Sequence, residues 1–383
     1  MNSEAERPIE QKSPVSRRRR WPRVLLFIVA AWLLLEGMSL GILSFLKPPP
    51  GSDILRLYRP HPYRVYMLIP GARSATGRFS INSHGFRGSE IELRKPPDTV
   101  RIACLGDSTT FGDTATTDSH TWPAHLERLL RDHYASRAGR PTRIEVINAG
   151  VPGYTTLEAL IYFETKLLDY QLDIAIFDLG LHDAQFMACF REFATDYIHA
   201  RKVFEIPRPR LWERSPLLSL LMPQRRSISN PYRSGPAGGL SELTITVPAR
   251  LKANEAEQRA CFRPERTAVF ARNVRNFVYV ARGQRVTPIL STIAYRPDKE
   301  AFFAGVIEQI NESIRKTAAI LTVPCVDRAR EMPWSAEAFV DTSRPRDCPE
   351  GLERMGRIFA EFLIRQGIVE QAIAKEGGGG QSR

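Results

Sequence analysis

Ser108 stands in the run Gly106-Asp107-Ser108-Thr109-Thr110-Phe111-Gly112, directly after the apolar stretch Val100 to Leu105. A serine delivered by a strand onto a tight turn, at the start of a helix-like segment, can attack an acyl carbon once a neighbouring group removes its proton. Histidine is the commonest side chain for that task. The chain has 7 histidines, and the last of them is His199, so nearly half the sequence follows without one. His84 precedes the serine, His120 and His125 follow it closely, and His182 lies in Gly180-Leu181-His182-Asp183. Each of these is also open to a packed or surface role.

These residues need a scaffold, and the pattern around them supplies one. Strands are expected at Val100 to Leu105, Arg143 to Asn148, Asp173 to Leu179, Val286 to Ile293 and Leu321 to Val326. Between the first two, Leu126, Leu129, Leu130 and Tyr134 recur at helical spacing. Further helices are expected at Thr156 to Leu168, Thr267 to Arg282, Lys299 to Ile320 and Pro349 to Gln366. Alternation of this kind predicts a parallel sheet with helices on both faces.

Four stations fall at the ends of these elements: Gly106-Asp107-Ser108; Asn148-Ala149-Gly150-Val151-Pro152-Gly153-Tyr154-Thr155-Thr156; Gly180-Leu181-His182-Asp183; and a last helix preceded by Asp341 and Asp347. The set resembles the SGNH (GDSL) hydrolase superfamily, particularly its bacterial membrane-anchored members, over about Ser80 to Arg365. The resemblance implies a three-layer α/β/α, flavodoxin-like parallel sheet and acyl-transfer chemistry without a cofactor or metal. It implies Ser108 as nucleophile, with the backbone N–H groups of Ser108 and Gly153 and a side chain at the third station as oxyanion donors. Two stations depart from the family. His182 stands where the family has asparagine; it can still donate an N–H, but its donors depend on protonation and tautomer. The family's Asp-x-x-His is missing. Asp341 aligns with Arg344 at the histidine position, and an arginine stays protonated. Asp347 aligns with Glu350, which could act as base if burial raised its pKa. His182 could itself be the base if it reached Ser108.

Val24 to Leu46 is an apolar run of bilayer-spanning length, interrupted by Glu36. Arg17, Arg18, Arg19, Arg20 and Arg23 precede it. That bias predicts an uncleaved, single-pass signal anchor in the inner (plasma) membrane, with the N-terminus cytoplasmic and the main domain extracytoplasmic, in the periplasm. The expected organisation is a basic tail at 1–23, an anchor at 24–46, a Pro/Gly-rich lead-in at 47–98, the catalytic-type domain at 99–370 with an insertion at 200–262, and a flexible tail at 371–383. The Pro-rich insertion reads as a cap over the carboxyl edge of the sheet or as a structural loop.

The net charge is +12, much of it in the N-terminal cluster and in Arg201 to Arg233. No zinc-finger spacing, basic zipper or RNA-binding aromatic motif accompanies that charge, so a nucleic-acid partner is set aside. The 5 cysteines have no CxxC spacing and imply no metal site. Cys104 reads as a small buried hydrophobe, and one or two disulfides among the others are open. The expectation is therefore a membrane-anchored serine esterase, deacylating or transferring acyl groups on an envelope glycan or lipid. The alternative is a catalytically inactive relative that binds glycan or assists envelope assembly.

Overall fold

The computed structural model of the chain describes residues 21–45, 57–74, 76–135, 143–197, 203–205, 215, 217–218, 244–246, 255–297 and 301–378. The chain divides into two compact units.

The first unit comprises Met1–Pro48, Arg208–Arg226 and Pro236–Glu242. Its main element is helix α1 (Trp21–Phe45). The stretch Trp21–Ile42 has a mean hydropathy of 2.1 and is long and apolar enough to cross a membrane. Leu26, Phe27, Leu33 and Leu34 are exposed. The one carboxylate of the helix is not left bare: Glu36 accepts hydrogen bonds from the Ser215 hydroxyl and, at 3.0 Å, from the Leu217 N–H. Ser39, one turn further along, is buried.

The second unit holds the sheet. A hairpin of β1 (Tyr58–His61) and β2 (Val65–Leu68) comes first, followed by β3 (Thr99–Gly106), β4 (Arg143–Gly150), β5 (Ile174–Asp178), β6 (Val203–Glu205), β7 (Thr244–Thr246), β8 (Thr287–Ser291) and β9 (Cys325–Val326). Five of these form one parallel sheet in the order β4-β3-β5-β8-β9. Every residue of β3 is buried, as a central strand covered on both faces requires. Its side chains alternate: Val100, Ile102 and Cys104 enter one apolar layer, Ala103 and Leu105 the other.

Helices fill both layers. In chain order they are α2 (Ser108–Phe111), α3 (Trp122–Ala135), α4 (Thr156–Thr165), α5 (Leu181–Cys189), α6 (Glu255–Cys261), α7 (Thr267–Gly283), α8 (Ala301–Leu321), α9 (Arg328–Glu331), α10 (Arg354–Arg365) and α11 (Ile368–Gly378). On one face α3 and α10 pack through Trp122 and Phe359, whose rings stack at 4.5 Å. On the other, Phe277 of α7 lies 4.5 Å from Phe177 of β5 and 4.8 Å from Phe163 of α4. The expected three-layer α/β/α architecture is thus present, with one apolar helix ahead of it.

Three local expectations shift. The strand expected at Leu321 to Val326 contracts to β9, because α8 continues through Leu321. The expected tail at 371–383 begins as helix: α11 runs to Gly378 and buries Val369 and Ala372, while 379–383 lie outside the described residues. No disulfide forms; all five cysteines are free thiols. Of the insertion at 200–262, the described parts of this unit are the antiparallel pair β6–β7 and α6 with Phe262. The expected cap otherwise lies outside the described residues.

Candidate active site

The register of the sheet brings the stations together. Gly106, the last residue of β3, pairs with Gly150 of β4 on one side and with Asp178 of β5 on the other. Ser108 therefore begins α2 at the carboxyl edge of the sheet, where ligand sites of open α/β folds form. Asp107 caps this turn, its carboxylate accepting from the Thr109 N–H at 3.0 Å. The contact between β4 and α2 is close. A Cβ on Gly150 would fall 2.1 Å from the Phe111 nitrogen, and one on Gly106 would fall 1.9 Å from Thr110 Oγ1.

The lead-in grips the far end of the same turn. Buried Arg87 donates to the Phe111 carbonyl at 2.8 Å and to that of Gly112, and pairs with Asp118 at 2.7 Å. The second station then turns through Gly153, whose φ of +82° is left-handed. It is braced from the hairpin, since Tyr66 donates to the Pro152 carbonyl at 2.7 Å and Tyr154 donates to the Tyr66 carbonyl at 2.6 Å.

His182 lies in the first turn of α5, with its Nδ1 3.0 Å from the Gln185 side-chain oxygen. Its Nε2 is 3.8 Å from Oδ2 of Asp107. Burial pushes the Asp107 carboxyl up to about 7, with nearby Asp178 adding to the effect and Arg328 opposing it. The neighbouring Asp183 has a bracing role: it accepts from the Thr156 N–H at 3.0 Å, from Thr156 Oγ1 at 2.5 Å and from Tyr197 at 2.8 Å. Third and second stations are thereby locked to each other. Burial raises Asp183 to about 6.

The fourth station is laced to the loop that follows the Ser108 turn. Arg344 bridges Asp341 at 2.6 Å and Asp113 at 2.8 Å. Asp341 also accepts from the Ser343 and Arg344 N–H groups, so its carboxylate is consumed within its own turn. Burial works against its ionisation, but these bonds and Arg344 outweigh that and hold the group below its ordinary value. Thr114 Oγ1 donates to the Pro345 carbonyl at 2.6 Å. Asp347 accepts from the Thr116 N–H at 2.8 Å, from Thr116 Oγ1 at 2.5 Å and from His120 Nδ1 at 3.0 Å. Glu350 is exposed, in the turn ahead of α10. The burial that would fit it for a base is not there.

Near the Ser108 turn lies a buried ion pair. Arg328, just past β9, reaches Asp178 at 2.9 Å with both side chains almost fully enclosed, and Thr110 Oγ1 is 3.4 Å from the same carboxylate. Among the described residues no three His, Cys, Asp or Glu side chains gather to hold a metal ion.

The model of the GDSL-like lipase/acylhydrolase family matches residues 104–347, more than half of the chain. The chain belongs to that family. Solved structures similar to this GDSL-like chain include a protein of the G-D-S-L family from Desulfitobacterium hafniense (15% identity, 69% of this chain and 99% of that one, TM-score 0.40). A lipase/acylhydrolase from Enterococcus faecalis (14%, 71% and 96%, TM-score 0.40) and the psychrotrophic esterase EstA from Pseudoalteromonas (12%, 70% and 97%, TM-score 0.40) are also similar. No curated protein matches the chain.

Within this GDSL-like frame, His182 approaches Asp107, the residue before Ser108, at one edge of the sheet, with Gly150 pressed against the Ser108 turn and Gly153 three residues on. Asp347 lies in the loop joined to that turn, Asp341 is tied to Arg344, and Glu350 faces outward. The Asp178–Arg328 pair was not read from the sequence, because its members are 150 positions apart and neither sits in a motif.

Proposed function

We propose that this protein is a membrane-anchored serine esterase or acyltransferase with Ser108 as nucleophile. The observation that carries this reading is the approach of buried His182 to Asp107 at 3.8 Å, which sets the third station beside the nucleophile turn. Ser108 attacks the ester carbonyl, and the oxyanion is received by the N–H groups of Ser108 and Gly153 and by His182. The left-handed Gly153 lets main chain approach without a Cβ in the way. His182 serves as donor: an imidazole N–H aimed at the oxyanion replaces the family's asparagine amide.

The membrane part of the reading rests on α1 and on the arginines at 17–20 and 23 ahead of it. The charge bias supports a cytoplasmic N-terminus with the second unit outside the cytoplasm. The substrate is then an acyl ester carried by a component of the cell envelope. The organisation follows the same logic: basic tail 1–23, anchor 24–46, lead-in 47–98 and catalytic domain 99–370, with the insertion at 200–262.

The test uses the full chain in detergent micelles with a fluorophosphonate probe. Labelling of the wild type, lost in Ser108→Ala, supports the enzyme. No labelling across pH 5–9 overturns it and leaves a binding or assembly protein. A reporter fused after residue 383 is expected to be active only outside the cytoplasm.

A further inference from the structure

The family's base is missing from its usual place, yet an aspartate–histidine pair stands at the fourth station. It is assembled from two separate segments. Asp347 comes from the family's own location, while His120 comes from the short 3-10 turn (Asp118–His120) that follows the nucleophile loop. We propose that His120 is the general base for Ser108 and that Asp347 positions it. The proposal rests on the reading of Ser108 as nucleophile.

The loop geometry carries it. The Ser108 carbonyl accepts from the Asp113 N–H at 3.1 Å. From Asp113 onward, three of four successive residues are fastened to the fourth station: Asp113 to Arg344, Thr114 to Pro345, and Thr116 to Asp347 through both its N–H and its hydroxyl. Asp347 is left with its Oδ2 shared between Thr116 and His120 Nδ1. Burial opposes the charge on Asp347, but these hydrogen bonds prevail and keep it ionised below the usual carboxylate range. A carboxylate facing Nδ1 fixes the proton there and leaves the lone pair on Nε2, the tautomer a base needs. The His120 side chain is half exposed.

The other described histidines are placed differently. His61 accepts backbone N–H groups on Nδ1, and His84 Nδ1 meets the Tyr170 hydroxyl. His133 lies in the last turn of α3, and His182 Nδ1 meets an amide oxygen. His125 stacks on His120 at 6.2 Å and is held below its ordinary value by burial. Ser108 Oγ makes no hydrogen bond among the described residues, and catalytic bonds of this kind commonly close only around substrate.

In the step itself, Nε2 takes the Ser108 proton as Oγ bonds to the acyl carbon and the carbonyl π pair moves onto oxygen. The tetrahedral adduct collapses, and the departing alkoxide takes that proton from Nε2. Water or an acceptor hydroxyl then gives its proton to Nε2 and attacks the acyl-serine. Collapse breaks the Oγ–acyl bond and returns the proton to Ser108.

The experiment measures hydrolysis of a p-nitrophenyl ester and fluorophosphonate labelling by the full chain in detergent. His120→Ala is expected to lower kcat/KM by about 10² to 10⁴, with part of the rate restored by added imidazole. Asp347→Asn is expected to fall by a smaller factor and to shift the acid limb of the pH profile. His125→Ala controls for the stacked ring, along with Glu353 and Arg128, whose charges act on it. His120→Ala at the wild-type rate, with Ser108→Ala inactive, overturns the proposal alone. An unreactive wild type overturns it together with the reading on which it rests.

Discussion

His182 Nε2 stands 3.8 Å from Asp107 Oδ2, with both side chains about 5% exposed. Two titratable groups, one on the nucleophile's own cap and one on the third station, therefore share a dry corner of the site. A carboxyl raised to about 7 changes charge where most hydrolases work.

The sign of the resulting stability effect is fixed. Asp107 goes from 3.8 to about 7, so the folded protein binds this proton more tightly than the unfolded chain. Its contribution is fully present below about pH 4 and is lost as the pH rises to about 7. Asp107→Asn keeps the cap acceptor and removes the titration. Stability in denaturant at several pH values should then fall less steeply across that window, by up to about 1.4 kcal/mol per pH unit. Asp183, raised to about 6, leaves a residual slope. An unchanged slope would place the proton elsewhere.

An oxyanion donor at residue 182 must be an N–H, whatever its source. His182→Asn is expected to keep kcat within about tenfold, whereas His182→Ala should lose roughly 10² to 10³. Equal losses in the two variants would point instead to a base or packing role.

Arg328 and Asp178 are each nearly sealed from solvent. Arg328→Met leaves the carboxylate buried without its partner, at a cost of about 3–5 kcal/mol. Adding Asp178→Asn should return much of that loss. Chemical denaturation of both variants measures the difference, and a double variant no more stable than the single would exclude the pairing account.

Gly150→Ala tests the close approach of β4 to the nucleophile turn. The new Cβ would lie 2.1 Å from the Phe111 nitrogen, so backbone must move. Overpacking of this kind costs about 1–3 kcal/mol. Ser108 labelling should slow more than tenfold, since a misplacement near 1 Å can cost about 10². Wild-type labelling would mean that the turn absorbs the change without moving Ser108.

What the sequence made legible follows from what is local. β3 and β5 are buried along their whole length because both faces are covered, and β3, β4 and β5 each lead into a glycine-bearing station. The helix of the third station was not foreseen, since Leu181–Cys189 shows no clean polar face when seven of its residues are buried. The alignment of Glu350 with the base position assumes a regular start to α10. The turn before that helix breaks at Gly351, with φ −99° and ψ −107°, and Glu350 faces outward. Asp347 was singled out for its place ahead of the last helix, but its partners Thr116 and His120 were hidden because 231 and 227 positions separate them from it.

That separation has a consequence in time. The bonds from Thr114 to Pro345 and from Thr116 to Asp347 each join segments 231 positions apart. While the chain is being synthesised, the serine, its strand and its glycine-lined turn all emerge long before the residue that fastens their loop. Contacts of such long range close late. Ser108 and its turn are therefore made long before the segment that fastens their loop, and the chain's last quarter completes the candidate site.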